Sequence, residues 1–340
     1  MSAPVLFVIF NRPHTTTRVF EAIRAARPRR LYVAADGPRR HAAGEGERCD
    51  EARRIATAVD WPCELKTLFR DENLGCRQAI TEAIDWFFGQ EEEGIILEDD
   101  TVPHADFFRY CEVLLAHHRH DDKVMAICGG SYFRNRTRGT GAYAFCHTFD
   151  PWGWATWASS WRKRQLSFEG LDDGVLEDLA ERLGPPVLDV AAYWNRCFGE
   201  ARDGSVDSWC YYWIWSIFRH RGLVAYPLRN LVSNIGFGPD GTHTQVDYGG
   251  VLPWIADLPT HPLPPDIARR TELIADGDLE RRLYRNRFSV HPTTFASCLI
   301  RSCTRAIRRV TPPALLPHVA QLLGRKTLKR AAHPPASSGR

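Results

Sequence analysis

The chain has 340 residues, 44% hydrophobic and 25% charged, which is ordinary for a soluble globular protein of one large or two small domains. No stretch reaches the length of a membrane-spanning helix, and the apolar N-terminus lacks the basic segment of a signal peptide, so a first strand is expected there. Ten cysteines without a CxxC pair indicate reduced thiols of a cytosolic protein rather than disulfides or a zinc site.

Charge is distributed unevenly along the chain. Residues 1–280 hold 31 basic and 41 acidic side chains, whereas residues 281–340 hold 13 basic and no acidic ones. The acidic globular part argues against a nucleic-acid partner. Apolar and basic residues mixed between 295 and 323 suggest peripheral attachment to an anionic inner membrane face, at about 1 kcal/mol per basic residue. The alternative is a solvated tail.

Strands and helices alternate through the first 120 residues. The predicted elements are a strand over 4–10, a threonine-capped helix over 17–26, a strand over 31–35, a charged loop over 39–50, a helix over 51–59, an extended segment over 63–69, a helix over 76–88, a strand over 95–97 and a helix over 106–118. We therefore expect an α/β fold with a mainly parallel, doubly wound sheet.

The second half of the chain is rich in tryptophan. Predicted there are amphipathic helices over 173–200, a helix that opens at Asp207 and ends near Arg221, a strand over 223–227 and a loop over 230–244. Three tryptophans lie close together before these elements, at Trp152, Trp154 and Trp157. Their rings either stack on sugar faces or belong to the core.

Three carboxylates follow the strand at 95–97, and Pro103 ends further pairing of that strand. Glu98, Asp99 and Asp100 would raise one another's pKa unless a cation lay among them. Carboxylate and phosphate oxygens are ligands of Mg²⁺ and Mn²⁺, and ligands bind beyond the carboxyl ends of strands in open α/β sheets. The cluster therefore predicts a Mn²⁺ or Mg²⁺ site. An acidic turn that caps the next helix is the alternative.

Four short motifs, taken in order, resemble one enzyme family. They are Asn11-Arg12, Ala35-Asp36-Gly37, Asn73-Leu74-Gly75 and Glu98-Asp99-Asp100. This order resembles the nucleotide-sugar-dependent glycosyltransferases of the GT-A fold. The nearest likeness is to bacterial family-2-like enzymes and to the Golgi N-acetylglucosaminyltransferase that initiates complex N-glycans. Later motifs around Trp152, Asp207 and 234–243 look like the bacterial subgroup, so the resemblance covers roughly residues 4–245.

The resemblance assigns roles within a nucleotide-sugar-binding half, residues 1–128. It implies that Asp100 binds the metal, that Asp99 contacts the ribose, and that Asp36 accepts a hydrogen bond from the base. Arg12 would contact phosphate or base, and Arg77, or its neighbour Arg70, would reach the diphosphate. On the residues alone, Asp36 fits a turn before a glycine equally well, and the arginines fit solvated surface positions.

An acceptor-binding and catalytic half is expected over residues 129–270, followed by the basic extension over 271–340. Asp207 is the candidate base that takes the proton of the acceptor hydroxyl. As an alternative it caps the helix that it precedes, a role worth about 1 kcal/mol. Many relatives have Asp where this chain has Cys210, which leaves Asp150 as the reserve base.

His243 is the remaining candidate, as a metal or diphosphate ligand from a loop rich in turn residues. A histidine in a loop without a functional role is the alternative. Turn residues on both sides would allow this loop to close over a bound donor.

Three functions compete at this point. The leading hypothesis is a metal-dependent inverting glycosyltransferase, cytoplasmic or peripheral at the inner membrane. It would move a sugar from a nucleotide diphosphate sugar, a UDP-sugar first, to a glycan or lipid-linked oligosaccharide in surface polysaccharide assembly. The second is a sugar nucleotidyltransferase, which predicts a Gly-rich N-terminal loop, yet residues 4–20 contain no Gly. The third is a glycan-binding protein that kept this fold without the chemistry.

Overall fold

The computed structural model describes residues 1–132, 141–171, 173–183, 189–237, 255–288 and residue 290. These residues belong to one compact unit, Met1–His291, of the two into which the chain divides. The strands of the described residues are β1 Val5–Ile9, β2 Arg30–Ala35, β3 Glu64–Phe69, β4 Glu93–Glu98, β5 Thr101–Pro103, β6 Val124–Cys128, β7 Tyr143–Cys146, β8 Trp154–Trp157, β9 Leu223–Pro227 and β10 Val232–Asn234.

Helices lie between most of these strands. They are α1 Pro13–Ala26, α2 Glu45–Ala56, α3 Cys76–Phe88, α4 Ala105–His118, α5 Ala158–Trp161, α6 Val175–Leu183, α7 Val190–Arg202, α8 Cys210–Arg219 and α9 Gly277–Asn286. None of the helices in the described part of the chain is long and apolar enough to cross a membrane. The membrane hypothesis for the tail concerns residues that lie outside the described ranges.

Eight strands form one sheet in the order β3-β2-β1-β4-β8-β6-β9-β7. The first four are parallel, and β6 and β9 are parallel to each other, whereas β8 and β7 run antiparallel to their neighbours. The predicted α/β fold with a mainly parallel sheet is confirmed. Because β1, β2 and β4 run side by side in one direction, their carboxyl ends meet at the same edge of the sheet.

Apolar runs in β1 and β4 bury both faces of the sheet. Alternate residues point to opposite sides, so Leu6 and Ile96 enter one hydrophobic cluster while Phe7 and Ile95 enter the other. All four side chains are fully buried. This two-sided burial is typical of parallel strands covered by helices and explains why the run Ile95–Leu97 contains no polar residue.

Two helices begin earlier than the sequence predicts. Helix α2 starts at Glu45, so the loop predicted over 39–50 and the helix start at 51 are wrong. Buried Glu45 accepts hydrogen bonds from Asn11 and Arg39, contacts with distant residues that local propensity does not reveal. Helix α1 starts at Pro13, and the hydroxyl of Thr16 donates to the carbonyl of Arg12 instead of capping a later start.

The tryptophan block forms core rather than a sugar platform. Trp154 and Trp157 lie in β8 and are buried, and the Trp154 ring stacks on that of Trp209 at 5.4 Å. Trp152 is less buried, and the guanidinium of Arg287 lies 4.7 Å from its ring centroid. Cysteines in the described part of the chain are all free thiols, as predicted.

Candidate active site

The acidic turn lies between β4 and β5, and its backbone is fixed from both sides. Thr101 accepts a hydrogen bond from the backbone N–H of Glu98 and donates to the Glu98 carbonyl at 2.9 Å. The prediction that Pro103 ends strand pairing is wrong, because β5, which includes Pro103, pairs antiparallel with β10. This pairing brings Ile235 to the turn, where its N–H donates to the Asp100 carbonyl at 2.8 Å.

Gly236 lies directly against the Asp100 side chain. A Cβ at this position would overlap the carboxylate of Asp100 and crowd Arg12. Its own N–H donates to the Asn234 side chain at 2.8 Å. Only a residue without a side chain allows the backbone to approach the Asp100 carboxylate so closely. The residues directly after β10 therefore belong to the site.

Arg12 supplies the positive charge that the clustered acids require. Its guanidinium pairs with Asp99 and lies 2.9 Å from the Asp100 carboxylate. Both aspartates are buried, and Asp99 also accepts the N–H of Phe10 at 3.1 Å. Burial raises the pKa of the Asp99 carboxyl above its ordinary value, and the Arg12 charge opposes that rise. A side chain from the β1–α1 turn thus neutralises part of the β4 cluster.

Glu98 is the least compensated of the three acids. Burial, helped by the charges of Asp100 and Asp99, raises the pKa of Glu98 to about 8. Trp209 opposes this shift through a hydrogen bond to the carboxyl group. This contact joins the end of β4 to the residue before α8.

Asp100 is the residue of this turn that fits a divalent metal. Its Oδ1 atom is buried and has no hydrogen-bond partner among the described residues, although an unpaired buried carboxylate oxygen is costly. One free carboxylate oxygen, completed by phosphate oxygens and water, is a coordination that Mg²⁺ accepts. The described residues contain no group of three ligating side chains.

Asp36 has a different environment at the end of β2. Its carboxylate accepts hydrogen bonds from the backbone N–H groups of Gly37, Leu74 and Gly75 and from the Asn73 amide. Burial raises the pKa of the Asp36 carboxyl, and the three backbone donors oppose the rise. The structure therefore supports the interpretation of Asp36 as a turn residue before Gly37. Its contact with the nucleobase of a donor stays a prediction.

Asp207 does not cap the helix that it precedes. Helix α8 begins at Cys210 with Trp209 at the N-cap and no side-chain cap bond. The Asp207 carboxylate instead accepts the N–H of Arg77 at 3.4 Å, at the N-terminus of α3. A helix N-terminus favours a negative charge. Gly75, with φ of 83°, leaves room for it, since a Cβ there would lie 2.7 Å from Asp207 Oδ2.

One cavity of about 340 Å³ collects most of the predicted residues. It opens at the carboxyl ends of β1, β2 and β4, where ligands bind in open α/β sheets. Its lining includes five predicted site residues, which are Arg12, Asp36, Asp99, Asp100 and Asp207. Arg39 and Arg70 also line it, although Glu45 and Glu82 pair with them. Side chains from segments far apart in the sequence thus line one cavity that is large enough for a small ligand.

The other candidates lie elsewhere. Arg77 is half exposed beside Asp207 but lies outside the lining of this cavity. Asp150 is buried and pairs with Arg287 at 3.0 Å, also away from the cavity. Burial raises the pKa of Cys210 to about 12, so its thiol is no substitute for a carboxylate base. His243 lies outside the described residues.

The roles of three further residues in the site were not predicted from the sequence. Trp209 contacts Glu98, and the glycines at 75 and 236 make room for two aspartates. A glycine directly before a predicted helix was a usable signal for Gly75. Nothing local distinguishes Gly236 from the other glycines of its loop, because its requirement comes from β5–β10 pairing.

No family model matches this chain, and no curated protein matches it either. Among solved structures, the chain is similar to a Bacillus anthracis protein that is proposed to be a glucose-1-phosphate thymidylyltransferase. The two sequences are 12% identical, the match covers 73% of this chain and 94% of that one, and the TM-score is 0.33. HddC from Yersinia pseudotuberculosis matches at 11% identity, over 46% and 77% of the chains, with a TM-score of 0.30.

The inositol-1-phosphate CTP transferase from T. maritima matches at 8% identity, over 47% and 74% of the chains, with a TM-score of 0.28. Two of these three proteins are nucleotidyltransferases by name, the class of the second hypothesis above rather than of the first. TM-scores this low carry no argument about the activity of the present chain, so its chemistry is argued from its own residues.

Proposed function

We propose that this protein is a divalent-metal-dependent glycosyltransferase that moves a sugar from a nucleoside diphosphate to a glycan with inversion. The observation that supports this is the position of Asp207 on the same cavity as Asp99 and Asp100. A metal-binding acid and a separate carboxylate base at one cavity are what direct displacement at a sugar carbon requires.

The residues divide the work as follows. Asp100, through its unpaired Oδ1, would hold Mn²⁺ or Mg²⁺, which when bound neutralises the departing diphosphate. Arg12 holds this acid through an ion pair and is itself paired with Asp99. The nucleoside would lie towards Asp36, between the ends of β1 and β2. Asp99, already bonded to Phe10, is the proposed ribose contact.

Asp207 would act on the acceptor. Its carboxylate accepts the proton of the acceptor hydroxyl while that oxygen forms the new bond to the anomeric carbon and the bond to the diphosphate breaks. The backbone N–H of Arg77 holds Oδ2 of this carboxylate, and Oδ1, which lies 3.8 Å from the Arg77 guanidinium without a hydrogen bond to it, would accept the proton. Because no enzyme group forms a covalent bond to the sugar, the configuration inverts.

A sugar nucleotidyltransferase is the second candidate. Three arginines line the cavity, Arg12, Arg39 and Arg70, which is enough positive charge for a nucleoside triphosphate. Against it, the β1–α1 connection is only residues 10–12, without glycine, and leads into Pro13, which has no N–H to offer a phosphate. Arg12 is also already paired with two acids.

Product analysis separates these candidates. The protein with Mn²⁺ and a panel of nucleotide sugars should release nucleoside diphosphate by slow donor hydrolysis, and Asp100→Asn should abolish the release. The matched control is Asp122→Asn, whose side chain is 96% exposed. Pyrophosphate release from a nucleoside triphosphate and a sugar 1-phosphate would support nucleotidyl transfer instead. Sugar binding without either product would support a glycan-binding protein.

A further inference from the structure

A second cavity, of about 350 Å³, lies along the outer face of α3. Its walls come from three segments, which are the α3 residues Arg77 to Asp85, the turn Trp161 to Leu166, and the start of α8 from Trp209 to Trp213. We name it the α3–α8 groove. The groove begins beside Asp207, because the N–H of Arg77, one of its lining residues, donates to the Asp207 carboxylate.

The floor of the groove is aromatic. The rings of Trp161 and Trp213 lie 5.1 Å apart, and Trp209 lies 6.3 Å from Trp161. Leu166 stands at its edge with 77% of its surface exposed, one of few large apolar side chains so exposed in the described part of the chain. The three rings are at most 3% exposed, so the apolar surface open to the C–H face of a sugar ring is mainly Leu166, which the aromatic floor supports.

Polar groups around this floor are held rigidly. Asp85 accepts the indole N–H of Trp161 at 2.7 Å and the guanidinium of Arg164 at 2.6 Å. Arg77 donates to the Tyr212 hydroxyl at 3.0 Å. The charged lining consists of two arginines and two acids, Arg77 and Arg164 with Glu82 and Asp85, so the groove has no net charge that would select an ionic ligand.

Two donors at the groove have no acceptor. The Nε of Arg164 and the indole N–H of Trp213 are buried and form no hydrogen bond among the described residues. Trp213 is 1% exposed, so bulk water does not satisfy it. Buried donors without partners are uncommon in folded proteins, and a ligand rich in oxygen acceptors would satisfy them.

We infer that the α3–α8 groove binds an uncharged, hydroxyl-rich sugar residue of the acceptor, next to the one whose hydroxyl Asp207 activates. The inference rests on the proposed function and specifies its acceptor as a neutral glycan. Hydroxyl oxygens of the sugar accept from Arg164 and Trp213, its ring packs against Leu166 at the edge of the groove, and the chain of sugars leads past Arg77 to Asp207.

The test fills the groove and removes one hydrogen bond from it, the bond from the Thr81 hydroxyl to the α3 backbone. Thr81 lines the groove, and its hydroxyl only donates to the carbonyl of Arg77, so Thr81→Tyr introduces bulk there. Thr17→Tyr is the matched control, since Thr17 makes the same bond to Pro13 on α1. Quenching of tryptophan fluorescence would be titrated with the neutral trisaccharides maltotriose, cellotriose and chitotriose and with the anionic trigalacturonate.

We expect a neutral trisaccharide to bind the natural protein and the Thr17→Tyr control alike, and Thr81→Tyr to weaken that binding at least about tenfold, because a filled cavity excludes the ring. Donor hydrolysis should persist in Thr81→Tyr. Three results would overturn the inference. They are equal binding by the two variants, binding of trigalacturonate alone, and no binding of any trisaccharide. Groove-dependent sugar binding without any donor hydrolysis would uphold the groove and refute the proposed transferase.

Discussion

The acidic side chains on the two sides of the active-site cavity differ in how fully they are hydrogen-bonded. On the β2 side, Asp36 accepts four N–H donors and Glu45 is bonded to Asn11 and Arg39. On the β4 side, Glu98 has a raised pKa, and one Asp100 oxygen has no hydrogen-bond partner within the part of the chain that the structure describes. Both sides follow strands that end at the same edge of the sheet.

The difference shows how to separate structural acids from functional ones. A saturated carboxylate stabilises the turn that surrounds it and has no lone pair left for a ligand. An acid with an unused oxygen costs stability, and a folded protein keeps such a group where something else binds it. By this criterion Asp36 and Glu45 stabilise the backbone around them, and Asp100 is the first residue to test for function.

The largest effect is expected from Asp100→Asn. Donor hydrolysis should fall about 1,000-fold, because the carboxylate that would hold the divalent cation on the leaving diphosphate is lost. The free energy of unfolding should hardly change, since the variant also relieves repulsion with Glu98. Nucleoside diphosphate release and urea unfolding measure the two effects. Wild-type turnover in Asp100→Asn would remove this acid from the mechanism.

Asp36→Ala should act on the other side of the cavity and mainly on stability. It leaves four N–H donors without their acceptor, so we expect the free energy of unfolding to fall by about 3 kcal/mol. Urea denaturation checks this, with Asp60→Ala as the control, because that side chain is 65% exposed. Equal unfolding midpoints for the two variants would show that Asp36 does not hold the 73–75 turn.

The contribution of Glu45 to the free energy of unfolding should depend on pH. Hydrogen bonds from Arg39 lower the pKa of Glu45 to about 2, below its ordinary value of 4.5. The unfolded chain therefore binds a proton before the folded one does, so the stabilisation is present above pH 4.5 and is lost as the pH falls towards 2.

Glu45→Gln should lower the free energy of unfolding by about 2 kcal/mol at pH 7 and by much less near pH 2. Urea unfolding at both pH values measures the change. Glu47→Gln, on the same helical turn but exposed, is the matched control. A constant difference between Glu45→Gln and the natural protein across this range would contradict the linkage.

The smallest expected effect concerns Arg12, which connects the β1 turn to the β4 acids. Arg12→Gln removes the positive charge beside Asp100, so Mn²⁺ should bind about tenfold more tightly in the absence of nucleotide, a change of about 1.4 kcal/mol. Electron paramagnetic resonance of free Mn²⁺ measures this without turnover. Arg39→Gln is the control, since Arg39 lines the same cavity but pairs with Glu45. Weaker Mn²⁺ binding in Arg12→Gln would contradict the conclusion that the Arg12 charge opposes a cation at Asp100.

Local patterns predicted the elements that carry the site. The helix over 76–88 and the strand over 223–227 match α3 and β9 at both ends, and the strand at 95–97 lies within β4. Helical periodicity, apolar runs and glycine or proline at the boundaries are properties of neighbouring residues, so they can be read along the chain. The start of α2 was wrong because Glu45 is stabilised by Asn11, 34 positions away.

The sequence by itself determined an α/β sheet, free thiols and a cluster of acids at the end of a buried strand. Only the tertiary structure decided that Arg12 neutralises those acids, that Asp207 meets the start of α3 rather than capping α8, and that Gly236 lies on Asp100. These contacts join residues 88 to 136 positions apart. Pairings at such distances follow from the order of strands in the sheet, which short-range propensities do not encode.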